Sequence, residues 1–134
     1  QVTHDALMLG IEQVKPGNTF GDIGAAIQRY VEAQRMAVVR DFCGHGIGRV
    51  FHAQPNVLHY GNWGEGSYLE EGMFFTIEPM VNLGRSETKI LSDNWTAVTR
   101  DKSLSAQFEH SIAVTKDGYE IFTLSPRGNF FPNF

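Results

Sequence analysis

Three segments of this 134-residue chain carry residue types that bind divalent metals in proteins. In the first, His45 lies between Gly44 and Gly46 and precedes His52 by seven residues. Glycine neighbours leave an imidazole sterically open and allow the backbone to run close to a ligand or a metal ion. The competing interpretation is an ordinary loop histidine, because a glycine-flanked histidine is a weak signal when taken alone.

The second segment places Glu78 in a hydrophobic β-rich run, directly before Pro79. A carboxylate in such a run is costly to desolvate, so it needs a cation, a hydrogen-bond network or a shifted pKa. The competing interpretation is a glutamate that points into solvent at the end of a strand. Glu78 is therefore a second candidate ligand.

The third segment contains Glu109 and His110, adjacent in another β-rich run. If the strand is regular, side-chain alternation puts these two residues on opposite faces. His110 shares its face with Ile112, which favours that face as the core side. Glu109 is therefore the expected ligand, and His110 is predicted to pack or to form hydrogen bonds. One imidazole and two carboxylates match the ligands of a catalytic divalent metal, and mixed N/O ligation suits Mn, Fe, Co or Zn.

Two amphipathic helices precede these segments. Residues 3–14 and 19–35 carry apolar side chains at helical spacing, and Pro16 and Gly17 separate the two runs. Thr19 with Asp22 three residues later resembles a capping box at the start of the second helix.

The remainder of the chain is predicted to be rich in β-structure. Strands are expected in residues 36–42, 73–81, 95–99, 106–115 and 120–124, with a hairpin turn at residues 116–118. Residues 43–60 are predicted to be a loop punctuated by glycine and proline, and residues 82–94 a connecting turn or short extra strands. Two helices followed by such a meander predict an α+β fold, in which the helices cover one face of an antiparallel sheet.

Composition excludes several classes of function. The chain has no apolar run near the roughly 20 residues of a membrane span. Its net charge is −4, with no cluster of basic residues for a nucleic-acid backbone. Its single cysteine, Cys43, is expected to be a buried or site-adjacent thiol in a reducing compartment. No membrane or direct nucleic-acid partner is expected, and the cytoplasm is the predicted location.

Motifs in order along residues 3–124 resemble those of type I (bacterial-type) methionine aminopeptidases. The matching segments are VKPG at 14–17, IGAAIQ at 23–28, CGHGIG at 43–48, FH at 51–52, PNVLHY at 55–60, GMFFTIEPM at 72–80, WT at 95–96 and DKSLSAQFEH at 101–110. The resemblance implies a pita-bread fold, whose two similar halves each place helices behind a curved antiparallel sheet. Residues 1–134 are expected to form the C-terminal half, with the N-terminal half absent from the chain.

The resemblance also implies the roles of the site residues. His45, Glu78 and Glu109 would be metal ligands, with Glu109 bridging two ions and Glu78 accepting the proton of the attacking water. His52 would be catalytic and would hydrogen-bond the scissile peptide group. Aromatic side chains would line the pocket for the methionine side chain: Phe51 and Trp95.

One departure from the family pattern concerns the metal site. The family's ligand set also contains two aspartates and a further histidine, which come before the region that this chain matches. Two cations about 3.5–4 Å apart need more carboxylate charge between them than two glutamates supply. Two divalent ions are therefore expected in the complete enzyme, and at most one, weakly bound, in this chain alone, which we expect to have little or no peptidase activity.

The implied function is metal-dependent removal of the N-terminal methionine from nascent proteins and peptides. Nascent N-termini, for which the ribosome is a candidate meeting place, and the absent N-terminal half are the implied partners. One alternative is another pita-bread metallopeptidase specific for X-Pro bonds, although such enzymes usually carry an Arg-Ile-Glu-Asp type segment where this chain has SAQFEH at 105–110. A second alternative is a pita-bread binding module without catalysis, a class that typically loses metal ligands.

Overall fold

A computed structural model describes residues 1–126 of the chain. The predicted domain also includes residues 127–134, which lie outside the described residues. Within residues 1–126 there are two helices, α1 (Val2–Ile11) and α2 (Phe20–Ala33), followed by ten short strands. Neither helix has the length and apolarity that crossing a bilayer would require.

The second helix begins as the sequence predicts. The Asp22 carboxylate accepts a hydrogen bond from the Thr19 backbone N–H at 2.8 Å, which is one arm of the predicted capping box. Ile23, Ile27 and Val31 recur every four residues along α2, and all three are 0% exposed. This stripe packs with α1 over the sheet, and both helices contribute buried side chains to the same apolar cluster.

The ten strands form three antiparallel sheets. Their bounds are β1 (Ala37–Val38), β2 (Gly44–Gly46), β3 (Ala53–Val57), β4 (Phe74–Ile77), β5 (Met80–Asn82), β6 (Thr88–Ile90), β7 (Ala97–Thr99), β8 (Ser105–Gln107), β9 (His110–Val114) and β10 (Tyr119–Ile121). The largest sheet has the order β10-β9-β4-β2-β3, a second has β1-β5-β8, and β6 pairs with β7. The predicted α+β class is confirmed.

The core lies between the helices and the five-stranded sheet. Phe75 and Ile77 of β4 and Ile112 of β9 are 0% exposed and belong to the same apolar cluster as the helical stripe. The opposite side of β4 therefore carries Phe74, Thr76 and, just beyond the strand, Glu78, because side chains alternate along a strand. This opposite side is where the candidate ligands meet.

The prediction that residues 43–60 form a loop is wrong, because they contain β2 and β3 of the five-stranded sheet. The glycines that suggested turns are required by close strand packing instead. A Cβ atom on Gly44 would lie 2.2 Å from the Thr76 carbonyl oxygen, and one on Gly46 would lie 2.1 Å from that of Gln54. Local composition does not distinguish a glycine needed for a turn from one needed beside a neighbouring strand.

Two of the predicted strands are interrupted. The run at residues 73–81 is divided into β4 and β5 at Glu78 and Pro79, and the run at 106–115 is divided into β8 and β9 at Phe108 and Glu109. The predicted strand at residues 36–42 is limited to Ala37–Val38, and the 82–94 connection contains the short strand β6. The assumption of a regular strand through Glu109 is therefore wrong, since the alternation restarts after the break.

Candidate metal centre

The two interruptions lie opposite each other. Antiparallel pairing joins Ile77 to His110 on one side of the breaks and Met80 to Gln107 on the other. The same two chain segments thus pass from the five-stranded sheet into the three-stranded sheet and lose their regular pairing at the same place. Pro79 has no N–H for a ladder hydrogen bond, which accounts for the break in the first segment.

Glu78 and Glu109 lie at these facing breaks, and His45 reaches them from β2. The structure brings together one potential ligand atom from each of the three residues, all within 4.8 Å of one another. His45 and Glu78 are closest, with Nε2 3.5 Å from Oε1. These are the three residues that the sequence predicts as ligands, and an N/O donor set of this kind suits a divalent transition metal.

The imidazole of His45 is oriented by its own strand. Its Nδ1 lies 3.0 Å from the Gly46 carbonyl oxygen, which can only accept, so Nδ1 carries the proton in this contact. In the neutral ring the Nε2 lone pair then faces the Glu78 carboxylate. A cation between His45 Nε2 and Glu78 Oε1 would stabilise these two electron-rich atoms. The hydrogen bond from Nδ1 to the Gly46 carbonyl oxygen is of the kind that metal-binding histidines usually form with their other ring nitrogen.

The environment of Glu78 also favours a cation. The side chain is half-buried, and this burial raises the pKa of the carboxyl group above its ordinary value. A hydrogen bond from the Thr76 hydroxyl acts in the opposite direction, while the nearby Glu109 charge raises the pKa further. The exposed Glu109 carboxylate lies beside the half-buried Glu78 carboxylate, and the repulsion between their like charges is a cost that a bound cation would offset.

Two aromatic rings stand beside His45. The His52 ring centroid lies 4.3 Å from that of His45, and the Phe51 centroid lies 5.4 Å from it, at steep angles. Phe51 is 66% exposed, so it offers an apolar surface next to the candidate ligands. Both residues are thus beside the cluster, and their roles stay a prediction.

An open cleft of about 490 Å³ lies in front of the cluster. Its lining consists of Phe42, Cys43, His45, His52, Ala53, Gln54, Asn56 and Glu78. Cys43 is partly buried in this lining. Burial raises the pKa of its thiol, and the charge of Glu78 acts in the same direction. Trp95 is not part of this lining. It lies in the turn between β6 and β7 and is 87% exposed, so its role in a substrate pocket stays a prediction.

Three supporting residues were not identified as site residues from the sequence. Thr76 donates its hydroxyl hydrogen to Glu78 Oε1 at 2.7 Å, and Gln107 Nε2 donates to Glu78 Oε2 at 3.2 Å. The backbone N–H of Glu78 donates to His59 Nε2 at 3.0 Å, and burial lowers the pKa of His59 to about 4. Thr76 could have been found from strand alternation, since it is two residues before Glu78.

His110 behaves differently from Glu109, although the two residues are adjacent. Its Nδ1 lies 2.7 Å from the hydroxyl of Thr123, and its side chain is separate from the three-residue cluster. The predicted hydrogen-bonding role of His110 agrees with this contact.

The chain is similar to known metallopeptidases both in sequence and in structure. The sequence model of metallopeptidase family M24 matches residues 1–116. The methionine aminopeptidase of Rickettsia prowazekii is 62% identical over 136 residues, covering 100% of this chain and 52% of the relative. A crystal structure of methionine aminopeptidase from the same organism superimposes with a TM-score of 0.91 at 63% identity, covering 92% of this chain and 50% of that one. The prolidase from Pyrococcus furiosus has a TM-score of 0.65 at 22% identity, covering 94% of this chain and 32% of that one, a likeness of fold alone. The chain spans about half the length of the curated relatives it matches.

Proposed function

This chain belongs to metallopeptidase family M24, and from that premise we propose that it is the metal-binding half of a methionine aminopeptidase. The complete enzyme would remove the N-terminal methionine from nascent proteins and peptides. The observation that carries the proposal is the meeting of His45, Glu78 and Glu109 within 4.8 Å at one side of an open cleft. The similarity to methionine aminopeptidases over the whole chain supports it.

The proposed cofactors are two divalent ions in the complete enzyme, chosen from Co, Mn, Fe and Zn. His45, Glu78 and Glu109 would hold them together with carboxylates from the other half of the fold, and this chain alone would hold at most one ion weakly. Divalent ions in such sites supply Lewis acidity, which makes a hydrolytic nucleophile available near neutral pH.

The side chains of this chain would carry out the remaining steps. Glu78 would take the proton from the attacking water and pass it to the leaving amine, a role for which a raised carboxyl pKa is useful. His52 would donate a hydrogen bond to the oxygen that becomes negative in the tetrahedral intermediate. Phe51 and Trp95 would enclose the methionine side chain by apolar contact.

The partners and location are proposed from the same premise. The substrates would be nascent polypeptide N-termini, met at the ribosome in the cytoplasm. The other half of the same fold would be the second partner, since it would supply the two aspartates that the family's ligand set contains.

The rival activities are less well supported. An X-Pro peptidase would preserve the histidine and both glutamates, but the likeness to a prolidase is at 22% identity and extends to fold alone. A binding module without catalysis would have no need to keep three ligands around a cleft. Substrate preference and dependence on Glu78 separate these three functions.

The experiment compares hydrolysis of Met-Ala-Ser with that of an X-Pro peptide by a version that includes both halves of the fold, with added Co²⁺ or Mn²⁺. We expect hydrolysis of Met-Ala-Ser, and a fall in kcat of roughly 100-fold or more for Glu78→Gln with a smaller change in KM. Glu12→Gln, an exposed glutamate beyond α1, is the matched control. Preference for the X-Pro peptide, or full activity in Glu78→Gln, would contradict the proposal.

A further inference from the structure

The hydroxyl of Thr76 contacts two of the candidate metal ligands at once. Thr76 is 1% exposed, and its Oγ1 accepts a hydrogen bond from the backbone N–H of His45 at 3.0 Å. The same Oγ1 donates its hydrogen to Glu78 Oε1 at 2.7 Å. Oε1 is also the carboxylate oxygen that lies 3.5 Å from His45 Nε2. One hydroxyl therefore connects the strand that carries the imidazole to the carboxylate that faces it.

The chemistry of a hydroxyl fixes the direction of these two bonds. A threonine hydroxyl has one hydrogen and two lone pairs. The His45 N–H can only donate and an ionised carboxylate can only accept, so the single hydrogen points at Glu78. The β-branched side chain has restricted rotation about χ1, and burial restricts it further. Oε1 is thus held towards His45 by the protein itself.

From this geometry we propose that Thr76 is a positioning residue, which sets the carboxylate of Glu78 against the imidazole of His45 before a metal ion binds. The inference rests on the proposed metal site and deepens it. Preorganised ligands bind an ion more tightly because less rotational freedom is lost on binding. Hydrogen-bonding partners of ligands typically change metal affinity about 10- to 100-fold when they are removed.

The other contacts of Glu78 are of a different kind. Gln107 donates to Oε2 from an exposed, long side chain at 3.2 Å, and His59 holds the backbone N–H rather than the carboxylate. Thr76 is buried and forms hydrogen bonds with the backbone of His45 and with the carboxylate of Glu78. Its loss should therefore change how these two candidate ligands are positioned relative to each other. A purely structural role, filling the space beside β2, would depend on the shape of the side chain and would not require the hydroxyl.

The test uses the chain as it exists and Co²⁺ as the probe. The dissociation constant and the visible absorption spectrum of bound Co²⁺ are measured for the wild type, Thr76→Val, which keeps the shape, and Thr76→Ser, which keeps the hydroxyl. Thr3→Val is the matched control, because Thr3 is a buried threonine in α1. Hydrogen exchange of the His45 amide, measured without metal, reports the loss of the bond to Oγ1.

We expect Thr76→Val to weaken Co²⁺ binding by about 10- to 100-fold, to change the Co²⁺ spectrum and to accelerate exchange of the His45 amide. Thr76→Ser should restore most of the affinity, and Thr3→Val should bind like the wild type. If Thr76→Val does not fold, Thr76→Ala, which leaves room for a water molecule at the His45 amide, provides the same comparison.

The outcomes separate the inference from the proposed function. Unchanged affinity in Thr76→Val, or an equal loss in Thr76→Ser, would overturn the positioning role while leaving the metal site in place. Absence of Co²⁺ binding by the folded wild type at millimolar concentration would instead contradict a metal site formed by this chain alone, and the positioning role would fall with it.

Discussion

Hydrogen bonds hold Glu78 in place at both of its carboxylate oxygens and at its backbone N–H. Its two carboxylate oxygens accept from Thr76 and Gln107, and its backbone N–H donates to the buried His59. His59 is 1% exposed, and burial holds its pKa at about 4, so its ring is neutral and can accept at pH 7. Residues outside the candidate ligand set thus determine where a ligand points.

Replacing His59 should test this support through stability. His59→Phe keeps a ring but removes the acceptor, which leaves the Glu78 N–H unpaired in a partly buried place. We expect a loss of about 1–3 kcal/mol in the free energy of unfolding, measured by urea denaturation at pH 7. His59→Gln, which can present an acceptor oxygen, should lose less. Equal losses in both variants would mean that packing rather than the hydrogen bond matters.

A second carboxylate, Asp101, organises the turn before β8. Its oxygens accept from the backbone N–H groups of Arg85 and Ser103 at 2.7 and 3.0 Å, and these bonds lower the pKa of Asp101 to about 2. Because this pKa is below the ordinary value of 3.8, the unfolded chain binds more protons between those pH values. The stability that the Asp101 carboxylate contributes through these hydrogen bonds is therefore present above pH 3.8 and is lost as the pH falls towards 2.

Asp101→Asn should accordingly be less stable than the wild type at pH 6, and the difference should shrink below pH 3.8. Urea midpoints measured from pH 6 to pH 2.5 check this expectation. Asp117→Asn, an exposed aspartate in the β9–β10 turn, is the control variant. A difference between wild type and Asp101→Asn that does not depend on pH would contradict the assignment.

At the scale of the elements, close backbone packing positions α2 over the sheet. A Cβ atom on Gly24 would lie 2.3 Å from the carbonyl oxygen of Tyr60, which follows β3 in the chain. Tyr60 is next to His59, which accepts a hydrogen bond from the Glu78 N–H. The distance between α2 and the sheet therefore affects the segment that positions Glu78. Glycine inside a helix normally destabilises it by about 1 kcal/mol relative to alanine. The close packing against Tyr60 explains why a glycine is nevertheless present at position 24.

Gly24→Ala should therefore destabilise the protein, although alanine is the better helix former. We expect a loss of about 1–3 kcal/mol from the overpacked contact, measured as a shift in the urea midpoint. Gly48→Ala is the control, because no atom lies within 4 Å of the added Cβ and the backbone is not in the left-handed region. A stabilised Gly24→Ala variant would show that α2 can move away from the Tyr60 carbonyl at little cost.

For the whole molecule, the candidate metal centre connects parts that are far apart in the sequence. It joins β2 to the facing breaks between β4 and β5 and between β8 and β9. A bound ion would therefore link the five-stranded and three-stranded sheets where regular pairing is interrupted. Any ligand that binds the folded state alone raises the free energy of unfolding, by an amount that grows with the logarithm of the ratio of ligand concentration to dissociation constant.

Added Co²⁺ should stabilise the folded chain, by about 2.7 kcal/mol at roughly 100 times the dissociation constant. Glu109→Gln should reduce this gain, whereas Glu120→Gln, an exposed glutamate on β10, should retain it. Thermal unfolding with and without Co²⁺ measures the effect. An equal Co²⁺-dependent shift in Glu109→Gln would remove Glu109 from the ligand set.

Local sequence determined the helices and the identity of the candidate ligands. The four-residue spacing of Ile23, Ile27 and Val31 and the Asp22 arm of the cap are properties of neighbouring residues, so they can be predicted without knowledge of the fold. The types of His45, Glu78 and Glu109 likewise pointed to N/O metal chemistry. These features depend on interactions within a few residues of chain.

Tertiary structure decided where the strands break and which side chains support the ligands. In the sequence, the glycines of β2 resemble turn residues. They are required because the carbonyl oxygens of Thr76 and Gln54, which belong to other strands, leave no room for a Cβ atom. The contact of one hydroxyl with both His45 and Glu78 arises from strand pairing between segments about 30 residues apart. Pairing across such distances depends on register, and register is set by the packing of the whole sheet against its helices.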